Sequence, residues 1–259
     1  DLRNRISSVK STKKITSAMK MVAAAKLKRA QDNAERTRPY ALKMSEIVSS
    51  LIKNKCEGNF KYSKRDSIKN KKVLLIICSA DRGLCGGFNG SIIKFSKNLS
   101  HNLTKDGHKT SYIFVGKKAY FSLKRIFEDS TIDSFSDIAN PTIKFELASS
   151  IRDKVIELFH NNSIDECHLI YTKFQSAISQ TVNPENLKAI KNNENENKEK
   201  DQENKISYDF EPDEEVILDE IIPRNIAIQI HSALLENLAS EQGSRMTAMD
   251  NATRNANDM

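Results

Sequence analysis

The first 38 residues contain neither glycine nor proline, and their apolar residues recur at helical rather than strand spacing. A seven-residue template begun at Leu2 lands on Leu2, Ile6, Val9, Ala23, Leu27, Ala30, Ala34, Ala41, Met44, Val48 and Leu51. Its polar exceptions are Lys13, Thr16, Lys20 and Thr37. Glycine and proline punctuate local structure, so their absence predicts one long helix over 1–56, with Pro39 as a kink. The apolar template marks a coiled-coil seam along it. Beside the polar exceptions a second stripe, Ile15, Ala18, Met19 and Val22, lies on another face. A helix that is apolar on two faces needs two partners.

The pattern changes after a polar, basic stretch at 57–72 that reads as a linker. VLLIICSA (73–80) is a continuous apolar run, as expected of a strand buried on both faces. A glycine-rich turn follows, then a helical stretch to about Lys105. YIFVG (112–116) repeats the theme, with a helix near 117–127 and another over 142–160. Two further strands fit 166–174 and 177–187. Strands alternating with helices predict an α/β domain of the βαβ type over 73–190. Residues 191–205 contain no apolar side chain, so a disordered insertion is expected over 191–209.

A second long helix is predicted over 210–259, opening at DFEPDEEV with Pro212 and acids near its first turn. Neither terminal helix has a core of its own, so antiparallel pairing as a stalk is expected. The seam is polar at Lys13, Thr16 and Lys20 on one helix and at Gln242 and Arg245 on the other. Setting these windows side by side gives a register in which position numbers sum to about 260. That register places Ala23 and Leu27 against Leu238 and Leu235, and turns Met19 and Val22 outward.

Composition adds a constraint on partners. Lys and Arg number 41 against 34 Asp and Glu, a formal net charge of +7. The excess is local: residues 1–55 carry 14 basic and 4 acidic side chains, and 191–215 carry 4 and 10. No acid lies between residues 2 and 31, and Arg3, Lys10, Lys13, Lys14, Lys20 and Lys28 share one arc of the helix. A basic face of this kind implies an acidic partner. Nucleic acid is the alternative, but no aromatic precedes Tyr40 and Met19 and Val22 lie among the lysines. An acidic protein fits better.

Candidate catalytic chemistry is sparse. The four cysteines show no metal-ligand spacing and the five histidines are scattered, so no metal site is expected. The cluster Gly83-Leu84-Cys85-Gly86-Gly87 stands between a strand and a helix, where α/β folds bind phosphates. It is neither GxGxxG nor GxxxxGK[ST], so a tight structural turn is the stronger reading. No run is long and apolar enough to span a membrane.

Three segments carry a resemblance: Ile15-Thr16-Ser17-Ala18-Met19-Lys20-Met21-Val22-Ala23-Ala24-Ala25-Lys26, then Asp81-Arg82-Gly83-Leu84-Cys85-Gly86-Gly87-Phe88-Asn89, then Glu236-Asn237-Leu238-Ala239-Ser240-Glu241-Gln242. Together, and in this order, they resemble the gamma subunit of F-type ATP synthases. The resemblance implies a non-catalytic central-stalk rotor with no cofactor and no small-molecule substrate. Its partners would be a ring of three alpha and three beta subunits, an epsilon subunit and the c-subunit ring. Met19, Lys20, Val22 and Arg245 would contact the beta subunits, and Gly83, Gly86 and Gly87 would form a structural turn in the foot domain. Proton flow through the membrane sector would drive ATP synthesis by turning the shaft. The location implied is peripheral, on the cytoplasmic face of a bacterial inner membrane, or alternatively the matrix face of the mitochondrial one. The family's last helix continues past the equivalent of Met259, and the 191–205 tract resembles an insertion.

Overall fold

Alternation along the first strand sets the layers of the structure. In β1 (Lys72–Cys78), Leu74, Ile76 and Cys78 point to one face of a sheet, and Val73, Leu75 and Ile77 to the other. All six are buried, because both faces are covered by helices. The computed structural model describes residues 2–54, 70–139, 142–176, 180–187 and 214–259. The expectations for 57–69 and for 191–209 fall outside these residues. β1 already begins at Lys72, inside the stretch read as linker.

The chain runs α1 (Leu2–Asn54), β1, α2 (Phe88–Lys105), β2 (Lys109–Val115), α3 (Lys117–Phe127), β3 (Thr131–Phe135), α4 (Phe145–His160), β4 (Glu166–Phe174), β5 (Gln180–Asn186) and α5 (Glu214–Asp258). The sheet order is β3-β2-β1-β4-β5, parallel except for β5, which runs antiparallel to β4. Helices α2 and α3 pack on one face, while α4 and α5 pack on the other. The crossovers therefore change side between β1 and β4, the switch point of an open α/β sheet. Pro184 sits in β5, where an edge strand tolerates a missing donor.

Two features depart from the sequence reading. β3 was not expected: TIDSF is half-exposed throughout, so an edge position replaces the buried run that marks β1. The second departure is the register of the stalk. α1 continues through Pro39 as one helix and pairs antiparallel with α5. Lys13 Nζ donates to Asn257 Oδ1 at 2.6 Å, and Thr253 Oγ1 to Thr16 Oγ1 at 2.7 Å. Lys20 Nζ meets Asp250 Oδ1 at 2.5 Å. The register lies about ten positions, nearly three turns, from the expected one. Ala23 and Leu27 do not face Leu238 and Leu235; Leu27 and Ala30 cluster with Ala239, Leu238 and Met246.

The cause is the double duty of α5. Ile222, Ile226, Ile230, Ala233, Leu234 and Leu235 are buried in the core shared with β1, β4 and α4. Its apolar period thus reports the foot domain as well as the stalk. The polar window of α1 is matched by Asp250, Thr253 and Asn257 rather than by Gln242 and Arg245. An ammonium opposite a carboxylate replaces the two facing cations that the other register would create.

Candidate functional site: the joint between stalk and foot

The third motif has a local physical explanation. Asn237 Oδ1 accepts from the Thr172 N–H at 3.0 Å, and Ser240 Oγ donates to the Thr172 carbonyl at 2.9 Å. One turn of α5 thus satisfies both backbone groups of a buried residue near the end of β4. Asn237→Ala would strand that N–H, so a loss of about 1–3 kcal/mol is expected in urea unfolding. Ser240→Ala should cost less, since a carbonyl tolerates under-satisfaction better than an N–H.

The glycine-rich loop is held in place from several directions. Asn89, in the first turn of α2, accepts from Ala80 N at 3.0 Å and donates to the Arg82 carbonyl at 3.4 Å. Asp81 Oδ1 and Oδ2 accept from the N–H groups of Lys117 and Ile138, at 3.1 and 2.9 Å. Gly86 has φ +56°, and a Cβ there would stand 3.7 Å from that of Ala248 on α5. Gly87 precedes α2 with φ −80°, and Gly83 makes its contribution through its carbonyl. Leu84 has φ 61° and is 65% exposed, a strained apolar residue held outward.

Arg245 closes the joint. Its Nη1 pairs with Glu241 Oε1 at 2.5 Å and its Nη2 donates to the Gly83 carbonyl at 3.2 Å. The side chain is only 12% exposed, so it faces the foot rather than solvent. Burial pushes the Glu241 carboxyl above its ordinary pKa; Arg245 draws it back, Asp81 raises it and Lys26 lowers it.

Around this joint runs an open groove lined by Ile15, Ala18, Met19 and Val22 of α1, Leu84 of the loop, and Gln242 and Arg245 of α5. Ile15 and Val22 are 59% and 56% exposed, and Met19 is half-buried. The second apolar stripe of α1 therefore lies open beside the glycine loop. Lys20 is turned towards Asp250, which Arg254 also holds at 2.7 Å, and Lys14 stays exposed. Met19, Val22 and Arg245 thus line one groove, whereas Lys20 belongs to the stalk seam. Sequence reasoning missed Leu84 as a site residue; its signal was a large apolar side chain between glycines at a strand end.

Among the described residues no group of His, Cys, Asp or Glu is arranged to hold a metal ion. No described helix is long and apolar enough to cross a membrane.

The family model for ATP synthase matches residues 1–259. The ATP synthase gamma chain of Pelagibacter ubique is 44% identical over 261 residues, covering all of this chain and 88% of that one. The chain belongs to the ATP synthase gamma family. The gamma chain of Rhodospirillum rubrum is 42% identical over 267 residues, again with 100% and 88% coverage. Among solved structures, the central stalk and c-ring of Tetrahymena thermophila mitochondrial ATP synthase is similar. That match has a TM-score of 0.68 at 29% identity, over 92% of this chain and 99% of the other. A gamma-family chain is a subunit of a larger complex, and here the three motifs meet at one place. The first lines the groove, the second forms its loop, and the third ties α5 to β4.

Proposed function

We propose that this chain is the central rotor shaft of an F-type ATP synthase. It carries no active site of its own. Its α/β foot sits against the c-subunit ring and an epsilon subunit, and its stalk enters a ring of three alpha and three beta subunits. Rotation driven by proton flow presents a different side of the shaft to each beta subunit in turn. Each shaft angle then favours one beta conformation over the others, which is a coupling free energy between rotor angle and nucleotide affinity.

The observation that carries this reading is the groove. An apolar stripe of exposed Ile15, Val22 and Leu84 with half-buried Met19 is bordered by Lys26, Arg82 and Arg245. That surface suits an amphipathic, acidic segment, the kind of partner expected of a beta-subunit contact. Arg245 supports the contact from behind, through the Gly83 carbonyl, so Leu84 is held outward where a partner can meet it. The gamma chains of Pelagibacter ubique, Rhizobium etli and Rhodospirillum rubrum that this chain resembles are bacterial, which favours the cytoplasmic face of a bacterial inner membrane as the location.

The test is reconstitution with alpha and beta subunits and with the membrane sector in vesicles. Val22→Asp together with Leu84→Asp should leave the complex assembled and ATP synthesis reduced by about tenfold, the effect of roughly 1.4 kcal/mol on the coupled step. Full synthesis by the double variant would sink the assignment of this groove. Failure of the unmodified chain to assemble with the hexamer would sink the rotor reading itself.

A further inference from the structure

A second cavity, of about 270 Å³, lies on the inner side of the joint, between α1, α5 and the carboxyl ends of β1 and β3. It lies outside the carboxyl ends of parallel strands, the edge at which open α/β sheets bind ligands, although it is set to the β1–β3 side of the switch point. Its charged lining is divided in an informative way. The acids are already engaged: Asp81 by two backbone N–H groups, Asp137 by Lys117 at 2.9 Å, and Glu241 by Arg245. The cations Lys26, Arg29 and Arg82 line the same cavity, and no hydrogen bond or ion pair joins their side chains to any described residue. Asn33 and Thr142 add uncharged polar groups.

We propose that this cavity binds a phosphate group, as inorganic phosphate or as a small phosphate monoester. Two guanidinium groups and an ammonium from two separate elements match an anion with several oxygens better than a flat carboxylate. The consequence is mechanical. α1 packs chiefly on α5, and no other element has comparable contact with it. An anion shared by Lys26 and Arg29 of α1 and by Arg82 of the loop after β1 links α1 to the foot directly. Bound phosphate therefore stiffens the joint that transmits rotation.

The mechanical consequence rests on the rotor reading, whereas the binding itself is a property of the free chain and is tested there. The full chain is titrated with sodium phosphate, and separately with glycerol phosphate, at constant ionic strength. Binding is read from broadening of the ligand's phosphorus resonance. Saturable binding is expected for at least one of the two, and the stronger arm identifies the source. Arg29→Gln and Arg82→Gln should each weaken it by about tenfold, the loss of one charge-assisted contact. Lys97→Gln, which removes an exposed charge from α2, should leave it unchanged. Arg29 is exposed on α1, so its variant should keep the parent's circular dichroism even if Arg82→Gln folds poorly. Amide exchange over residues 26–33 should slow when phosphate is added to the parent and not to Arg29→Gln. Non-saturating binding, equal affinity in Arg29→Gln, or equally tight binding of acetate would each overturn the proposal.

Discussion

A chain carrying Thr16→Cys and Thr253→Cys is expected to form a disulfide on mild oxidation, whereas Thr16→Cys with Gln242→Cys is not. The two threonine hydroxyls are 2.7 Å apart across the seam, which places their Cβ atoms within disulfide reach. Gln242 lies eleven positions from Thr253 along α5, about 16 Å at helical rise, well beyond the ~7 Å Cα limit. Few native thiols need replacing. Cys78 and Cys167 are buried, and burial pushes both thiols far above the ordinary range, so neither supplies a thiolate. Cys85 is also raised by burial. Replacing Cys56 with serine is therefore sufficient. The bond spans 237 positions, and a loop that long gives stabilisation of up to about 5 kcal/mol in the chain-entropy picture. A gel shift under non-reducing conditions reads the closure. Closure of the second pair without the first would return the stalk to the register expected from apolar spacing.

Gly116→Ala is expected to be the most damaging single substitution in the foot. Gly116 has φ +100°, and an added Cβ would stand 2.2 Å from the Ser79 carbonyl oxygen and 2.8 Å from its carbon. Those atoms belong to backbone just past β1 and cannot rotate away. Gly116 N donates to the Phe135 carbonyl at 2.8 Å, and Ser79 Oγ both donates to the Gly116 carbonyl and accepts from Ala119 N. The clash therefore falls where β1, β2, β3 and α3 converge. Backbone strain and overpacking each cost about 1–3 kcal/mol, so a loss of roughly 3–5 kcal/mol is expected. For a chain of this size that lowers Tm by roughly 6–20 °C. Gly90→Ala is the contrasting case. It lies in α2, an added Cβ meets nothing within 4 Å, and a gain of about 0.5–1 kcal/mol is expected. Equal melting temperatures for the two variants would contradict this account of the turn.

Legibility in the sequence followed burial. β1 and β4 were visible because each contains a run of apolar residues covered on both sides, and α1 because nothing in its first 38 residues could interrupt it. β3 was invisible because an edge strand with Asp133 and Ser134 carries no such run. The antiparallel pairing could be inferred, but its register could not. Apolar periodicity in α5 records two neighbours at once, and only Asp250, Thr253 and Asn257 tell them apart. At the joint, the stripe of Ile15, Ala18, Met19 and Val22 could be read as an open face. That Arg245 points inward could not, because its partners are a carbonyl 162 positions away and a carboxylate one turn back on its own helix.

The stalk also sets an order of events during synthesis. α1 is made long before α5, so Lys13 must wait for Asn257, 244 positions later. At about 5–20 residues per second, that is a delay of roughly 10–50 seconds. Until α5 is made, the seam through Ala23, Leu27, Ala30, Met44 and Val48 has no helix to cover it. Ile222, Ile226 and Ile230 complete the foot's core from the same late segment. α5 thus finishes both halves of the molecule in one step, and until it emerges the nascent chain displays an apolar helix that a chaperone can hold.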